Sequence, residues 1–118
     1  MYKRQNQKMA NTFKLKTKAN VGVTTVGIYT APAATTTVVI GITLSNTSGS
    51  GVNVGVAVSR TSDTQDDVSL LKNAPIPHGS SHEFRGGNTV VLEETDTVTV
   101  DSDTNNSIDA ALTIMEIT

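Results

Sequence analysis

From Thr36 to Asn46 the chain alternates one residue at a time: Val38, Ile40, Ile42 and Leu44 fall on one side of an extended backbone, and Val39, Gly41, Thr43 and Ser45 on the other. This spacing predicts a half-buried strand. After the turn formers Asn46-Thr47-Ser48-Gly49-Ser50-Gly51, the alternation restarts, with Val52, Val54, Val56 and Val58 inward and Asn53, Gly55, Ala57 and Ser59 outward. The two segments read as an antiparallel pair.

Upstream, Phe13 and Leu15 alternate with Lys14, Lys16 and Lys18, a pattern that predicts a short strand with one cationic face. Lysines in such a row also suit an edge strand that must discourage wrong pairing. Between Val21 and Thr30 the parity changes, because Val21 and Val23 share one face while Val26 and Ile28 share the other. A bulge or a crossing between sheets accounts for that change. Ala31-Pro32-Ala33-Ala34 reads as the connection that follows, since proline cannot donate to a central ladder.

Downstream, Thr61 to Asp67 is a polar, acidic loop and a strand is expected from Val68 to Lys72. Pro75 and Pro77 flank Ile76 in an extended connector. Short strands then fit Ser81–Arg85, Thr89–Leu92 and Thr97–Asp101. In the closing segment Ile108, Ala110, Leu112 and Ile114 share one face, while Ala111, Met115 and Ile117 make the opposite face apolar as well. A strand apolar on both faces needs cover on both. Either another subunit or the N-terminal arm can supply the second cover. This places Ala111, Met115 and Ile117 at an expected subunit interface.

Eight or nine short strands with polar turns and no helical periodicity predict an all-β fold. The expected architecture is an antiparallel two-sheet β-sandwich, jelly-roll-like or Ig-like. Residues 12–118 form its single domain, and residues 1–11 a flexible basic N-terminal arm. With 118 residues, no Trp and only two Tyr and two Phe, the core must be filled by small aliphatic side chains. Such a domain gains from partners.

The net charge of −2 hides a division. Residues 1–62 hold seven basic residues and no acid, whereas residues 63–118 hold all eleven acids against Lys72 and Arg85. A cationic arm facing an acidic surface, nucleic acid or the acidic half of another copy follows from this asymmetry. Zero cysteines exclude disulfides, thiol nucleophiles and thiolate zinc sites, and fit synthesis in a reducing cytoplasm. With no apolar run near the roughly 20 residues of a membrane span and no signal-peptide pattern, the chain reads as soluble and unprocessed, with no membrane role.

No motif carries catalysis or a cofactor, so the chain reads as non-enzymatic, without metal, cofactor or small-molecule substrate. His78 and His82 lie in a loop with Glu83 but lack a further ligand cluster for zinc. Ser80 has no nucleophile elbow around it. Asp101-Ser102-Asp103-Thr104-Asn105 starts like a calcium loop, then places Asn106 where glycine is needed and Leu112 where the bidentate glutamate belongs. An Asx-rich turn explains the same residues. Nucleic-acid binding has density of charge in its favour, but few aromatics and no motif, and ranks below docking to protein.

A resemblance can be placed on specific segments: Ile28-Tyr29-Thr30-Ala31-Pro32-Ala33, the run Val38 to Thr47, Lys72 to Ser80, Val91-Leu92-Glu93-Glu94-Thr95-Asp96-Thr97-Val98, and Leu112 to Thr118. Together these resemble small β-sandwich virion proteins of tailed bacteriophages, over roughly residues 20 to 118. The chain departs from the pattern at Glu94-Thr95, where a glycine is common. The resemblance implies a capsid decoration (cement) protein on the virion surface, made in the bacterial host cytoplasm. It also implies a homo-oligomer, a trimer for preference, that binds the major capsid protein. Lys3, Arg4, Lys8, Lys14, Lys16 and Lys18 would then dock the partner. A tail, neck or baseplate adaptor or fibre module is the alternative, and a carbohydrate-binding sandwich ranks third.

Overall fold

The computed structural model describes residues 11–60 and 66–118, and of residues 84–89 the backbone alone. Its strands are β1 Asn11–Val21, β2 Val26–Thr30, β3 Thr36–Asn46, β4 Val52–Ser59, β5 Val68–Ile76, β6 Ser81–Leu92, β7 Thr97–Ser102 and β8 Ile108–Ile117. One sheet runs in the order β1-β8-β3-β6, the other in the order β2-β7-β4-β5. First pairs with last, second with seventh, third with sixth and fourth with fifth, all antiparallel. The chain is thus one long hairpin rolled into two sheets, the jelly-roll arrangement, and the antiparallel β-sandwich expected from the sequence is present.

The core lies between the sheets and is made almost wholly of branched aliphatics. Val52, Val54, Val56 and Val58 of β4 face Ile42 and Leu44 of β3 and Ile108, Ala110, Leu112 and Ile114 of β8, with Val98 and Val100 of β7 beside them. Each strand contributes every second residue, as the pleat requires. Tyr29 is the one aromatic among the buried apolar residues described.

Two neighbouring strands are not partners. β3 pairs with β8 and β6, and β4 pairs with β7 and β5, so the expected β3–β4 pair is corrected to a pair facing across the core. Both strands have an apolar face to bury, and facing each other buries both. Asn46 directs the crossing: it is buried, its Nδ2 donates to the carbonyls of Ser50 (2.8 Å) and Ile76 (2.9 Å), and its Oδ1 accepts from Ser48 N (2.9 Å). The change of parity after Val21 has the same meaning, since β1 ends in one sheet and β2 begins in the other.

Within β3 the alternation is broken. A register shift between Val39 and Gly41 against both neighbours puts Thr37 and Val39 inward, then Ile42 and Leu44. Val38 and Ile40 therefore lie on the outer side, not on the inner face that an unbroken alternation assigns to them. β5 continues to Ile76 through the expected connector, and β6 runs as one strand from Ser81 to Leu92, not as two. Edge positions make both possible: β5 and β6 end their sheets, so Pro75 faces no missing partner and β6 tolerates a register shift near Gly86-Gly87.

Candidate interaction face

β1 is an edge strand, as its lysines indicate, but it is inverted relative to the usual amphipathic rule. In the β1–β8 register Lys14, Lys16 and Lys18 stand beside Ile114, Leu112 and Ala110, whose side chains point into the sandwich. Phe13 and Leu15 stand beside Met115 and Thr113 and point outward, 67% and 64% exposed. The inward lysines reach partners at the mouth of the sandwich. Lys14 Nζ pairs with Glu116 Oε1 at 2.9 Å, and Lys16 Nζ lies 6.0 Å from the centre of the Tyr29 ring. Their aliphatic stems cover the core edge while the heads stay near water.

Glu116 is the buried hub of this edge. Besides Lys14, it accepts a hydrogen bond from the Tyr29 hydroxyl (2.6 Å), which also bonds Thr37 Oγ1 (2.8 Å). Lys14, followed by Tyr29, holds the Glu116 carboxyl below its ordinary value. Burial, followed by the bond to Glu116, pushes Tyr29 up to about 12. Four strands from two sheets, β1, β2, β3 and β8, meet at this point. Its groups are satisfied by one another, so the cluster is a structural fastening rather than a reactive site.

The outer side of the β1-β8-β3-β6 sheet is where the chain offers a surface. Phe13, Met115, Val38 and Val91 are successive partners across all four strands and form one apolar row. Leu15, Ile40 and Ile117 flank it. Phe13, Leu15, Ile40 (41%) and Val91 (55%) are exposed, whereas Val38, Met115 and Ile117 are half-buried by their neighbours. Further along the same face the residues become small. Thr17, Ala111, Thr43 and Ser45 line a hollow of about 260 Å³ edged by Lys18 and Asp109, and Gly41, Thr43, Ala111 and Thr113 an adjoining one of about 200 Å³ edged by Ile40 and Glu83.

Of the residues singled out in the sequence, Ala111, Met115 and Ile117 come together on this face. Sequence reasoning missed Phe13, Leu15, Val38, Ile40 and Val91 as members of it. The signal that could have found the first two is the lysine row: three charges able to hydrogen-bond at a sandwich edge leave the intervening positions to solvent. Lys14, Lys16 and Lys18 sit at the edge just described; Lys3, Arg4 and Lys8 lie outside the described residues.

The other candidates resolve into local structure. His78 Nδ1 bonds the Ser48 carbonyl at 2.7 Å, and His82 sits in β6 opposite Leu44. The carboxylates of the calcium-like segment diverge. Asp101 accepts from Thr25 Oγ1, Asp103 from Asn53 N, and Asp109 from Asn20 N. Among the described residues no group of three or more His, Asp or Glu side chains is arranged to hold a metal. At the opposite end of the sandwich, Arg60 Nε donates to the buried Asp96 at 3.1 Å and Arg60 Nη2 also pairs with Glu93. That contact ties the end of β4 to the β6–β7 turn.

No protein family model matches the chain, and no curated protein matches it. Two solved structures are similar in fold. One belongs to Bacillus endospore appendages, described as a novel family of disulfide-linked pili: 14% identity, TM-score 0.54, with 92% of this chain and 86% of that chain covered. The other belongs to the acid-stable capsid of Helicobacter pylori bacteriophage KHP30: 10% identity, TM-score 0.50, with 94% of each chain covered. At such identities the likeness is one of fold.

Proposed function

We propose that this chain is a structural subunit of a phage virion, a decoration protein that binds the outer head surface and bridges capsid subunits. The observation that carries the reading is the apolar outer face of the β1-β8-β3-β6 sheet, on a domain whose two ion-paired clusters among the described residues, around Glu116 and around Arg60, fasten elements of the fold to one another. Such a face serves burial against protein, not turnover. End-to-end similarity of fold to a chain of a phage capsid supports the virion setting.

In this reading the domain is residues 12–118 and the basic residues 1–11 act as a docking arm. Lys3, Arg4 and Lys8, continued by Lys18 at the edge of β1, meet acidic capsid surface, and Ala111, Met115 and Ile117 meet another subunit. Charge complementarity sets the rate of docking and apolar burial its persistence. The test is cosedimentation of the purified chain with heads that lack it. Saturable binding that weakens as salt rises, and weakens further when residues 1–11 are removed, is the expected result. Binding indifferent to both overturns the docking role of the arm.

A second reading, a subunit of an extracellular filament, is favoured by the similarity to the spore appendage chain. The disulfide linkage in that protein's description is closed to this chain, which has no cysteine. A filament of this chain must hold by burial alone, and strong denaturant without reductant would dissolve it.

A further inference from the structure

The outer face just described has a shape that fits itself. The ridge row of Phe13, Met115, Val38 and Val91 and the row of Thr17, Ala111, Thr43 and Glu83, hollow along its first three residues, lie on either side of the row formed by Leu15, Thr113 and Gly41. Phe13 and Thr17 are four residues apart on β1, as are Met115 and Ala111 on β8, so the two rows stand about 14 Å apart and equally distant from the middle row. Rotating a second copy by half a turn about an axis that crosses the strands at the level of Thr113 lays Phe13, Met115 and Val38 of each copy over the other copy's hollow and brings Val91 beside the other copy's Glu83.

We infer that two copies of this chain pair face to face through their β1-β8-β3-β6 sheets, each ridge seated in its partner's hollow. Area supports a second copy as the occupant. An aromatic side chain offers roughly 150–250 Å² and the branched aliphatics lie near or below the lower end of that range, so the exposed fractions of Phe13, Leu15, Ile40 and Val91, with the half-buried Val38, Met115 and Ile117, leave on the order of 500 Å² of apolar surface per copy. Doubling this on pairing gives about 1,000 Å², the lower bound for a specific interface. A patch of this size lies towards the upper end of what a typical monomer exposes, and patches of that kind are often interaction sites. Sheets packed face to face in this way reproduce the geometry of the sandwich interior itself.

Residues 1–10 are a poorer cover for the same face. They bring Lys3, Arg4, Lys8 and three amides against Met1, Tyr2, Met9 and Ala10, and laying them on the ridge would strip water from charges without pairing them. The proposed pair is isologous, the same patch meeting itself, whereas a trimer uses two different patches head to tail. The pairing does not depend on the virion reading, because it is a property of the free chain.

Sedimentation velocity on the full chain, with two single variants, provides the test. The wild type is expected to sediment as two chains at micromolar concentration. Phe13→Asp on the ridge and Ala111→Arg in the hollow are each expected to raise the dissociation constant at least about tenfold, with unchanged circular dichroism. Cysteine variants of this cysteine-free chain then fix the geometry through a short bismaleimide. Thr113→Cys, on the axis, should cross-link to itself, and Met115→Cys should cross-link to Ala111→Cys far better than to itself. A wild type that stays monomeric throughout, a three-chain species, or efficient cross-linking of Met115→Cys to itself overturns the proposal. So does a monomer that pairs only once residues 1–10 are removed, which would give the face to the arm. None of these outcomes touches the capsid reading, which is decided on particles.

Discussion

Glu116 shows how one residue can hold two sheets together and make stability respond to pH. Its carboxyl is a stronger acid in the folded protein, chiefly through Lys14 and then Tyr29, so it adds stability above its unfolded value of about 4.3 and withdraws it as pH falls through the lowered folded value. Tyr29, pushed up to about 12, contributes fully below its unfolded value of about 10 and loses that contribution as pH rises towards 12. Urea midpoints are therefore expected to fall at both extremes. Glu116→Gln should flatten the acid limb and Tyr29→Phe the alkaline one; an alkaline limb unchanged in Tyr29→Phe contradicts the assignment. Thr95 offers an opposite effect. Its φ of 67° places a β-branched residue in the left-handed region. Thr95→Gly should raise stability by about 1 kcal/mol in the same titrations, relief of strain outweighing the added chain entropy. In the same turn, Arg60→Met leaves buried Asp96 without its cation and should lower the urea midpoint.

Among the elements, β1 and β8 carry the functional argument, and a pair of substitutions separates their two faces. Leu112→Ala empties a fully buried site and should cost about 2–5 kcal/mol. Phe13→Ala, on the outer face, should change the unfolding free energy of dilute, unpaired chain by less than about 0.5 kcal/mol. Comparable losses from both would mean that Phe13 faces the core. The inward lysines have a protective role as well: Lys16→Val with Lys18→Val should leave the fold in place and shorten the time to aggregation in light scattering, because an uncharged edge strand recruits other edges. Much of this was legible in the sequence. Strict period-two alternation located β4 and the inner face of β8, and the changed parity after Val21 marked the move between sheets. What escaped depended on non-local pairing. The bulge at Ile40 reversed the first half of β3, and no local signal announces it. The partnership of β3 and β4 was misread because an inward-facing apolar stripe looks the same whether its neighbour lies beside it or across the core. Phe13 and Leu15 were hidden by the general preference for burying aromatics, which here yields to a salt bridge reachable only from the opposite side of β1.

At the scale of the molecule, a small Val-rich core and an uncovered apolar face belong together. The sandwich closes its interior with few aromatics, and the large side chains it does possess on β1 are spent outside, where burial requires another protein. Charge is divided too, with six of the nine cations in the first eighteen residues, ahead of and within β1, and all eleven acids after residue 62. Both features describe a part that completes itself by assembly. The most direct measurement is copy number and position in intact particles, by quantitative mass spectrometry together with immunogold labelling. Hundreds of copies per particle, with label over the head surface, are expected. Six or twelve copies confined to a tail or neck, or no chain in particles at all, would contradict the decoration role.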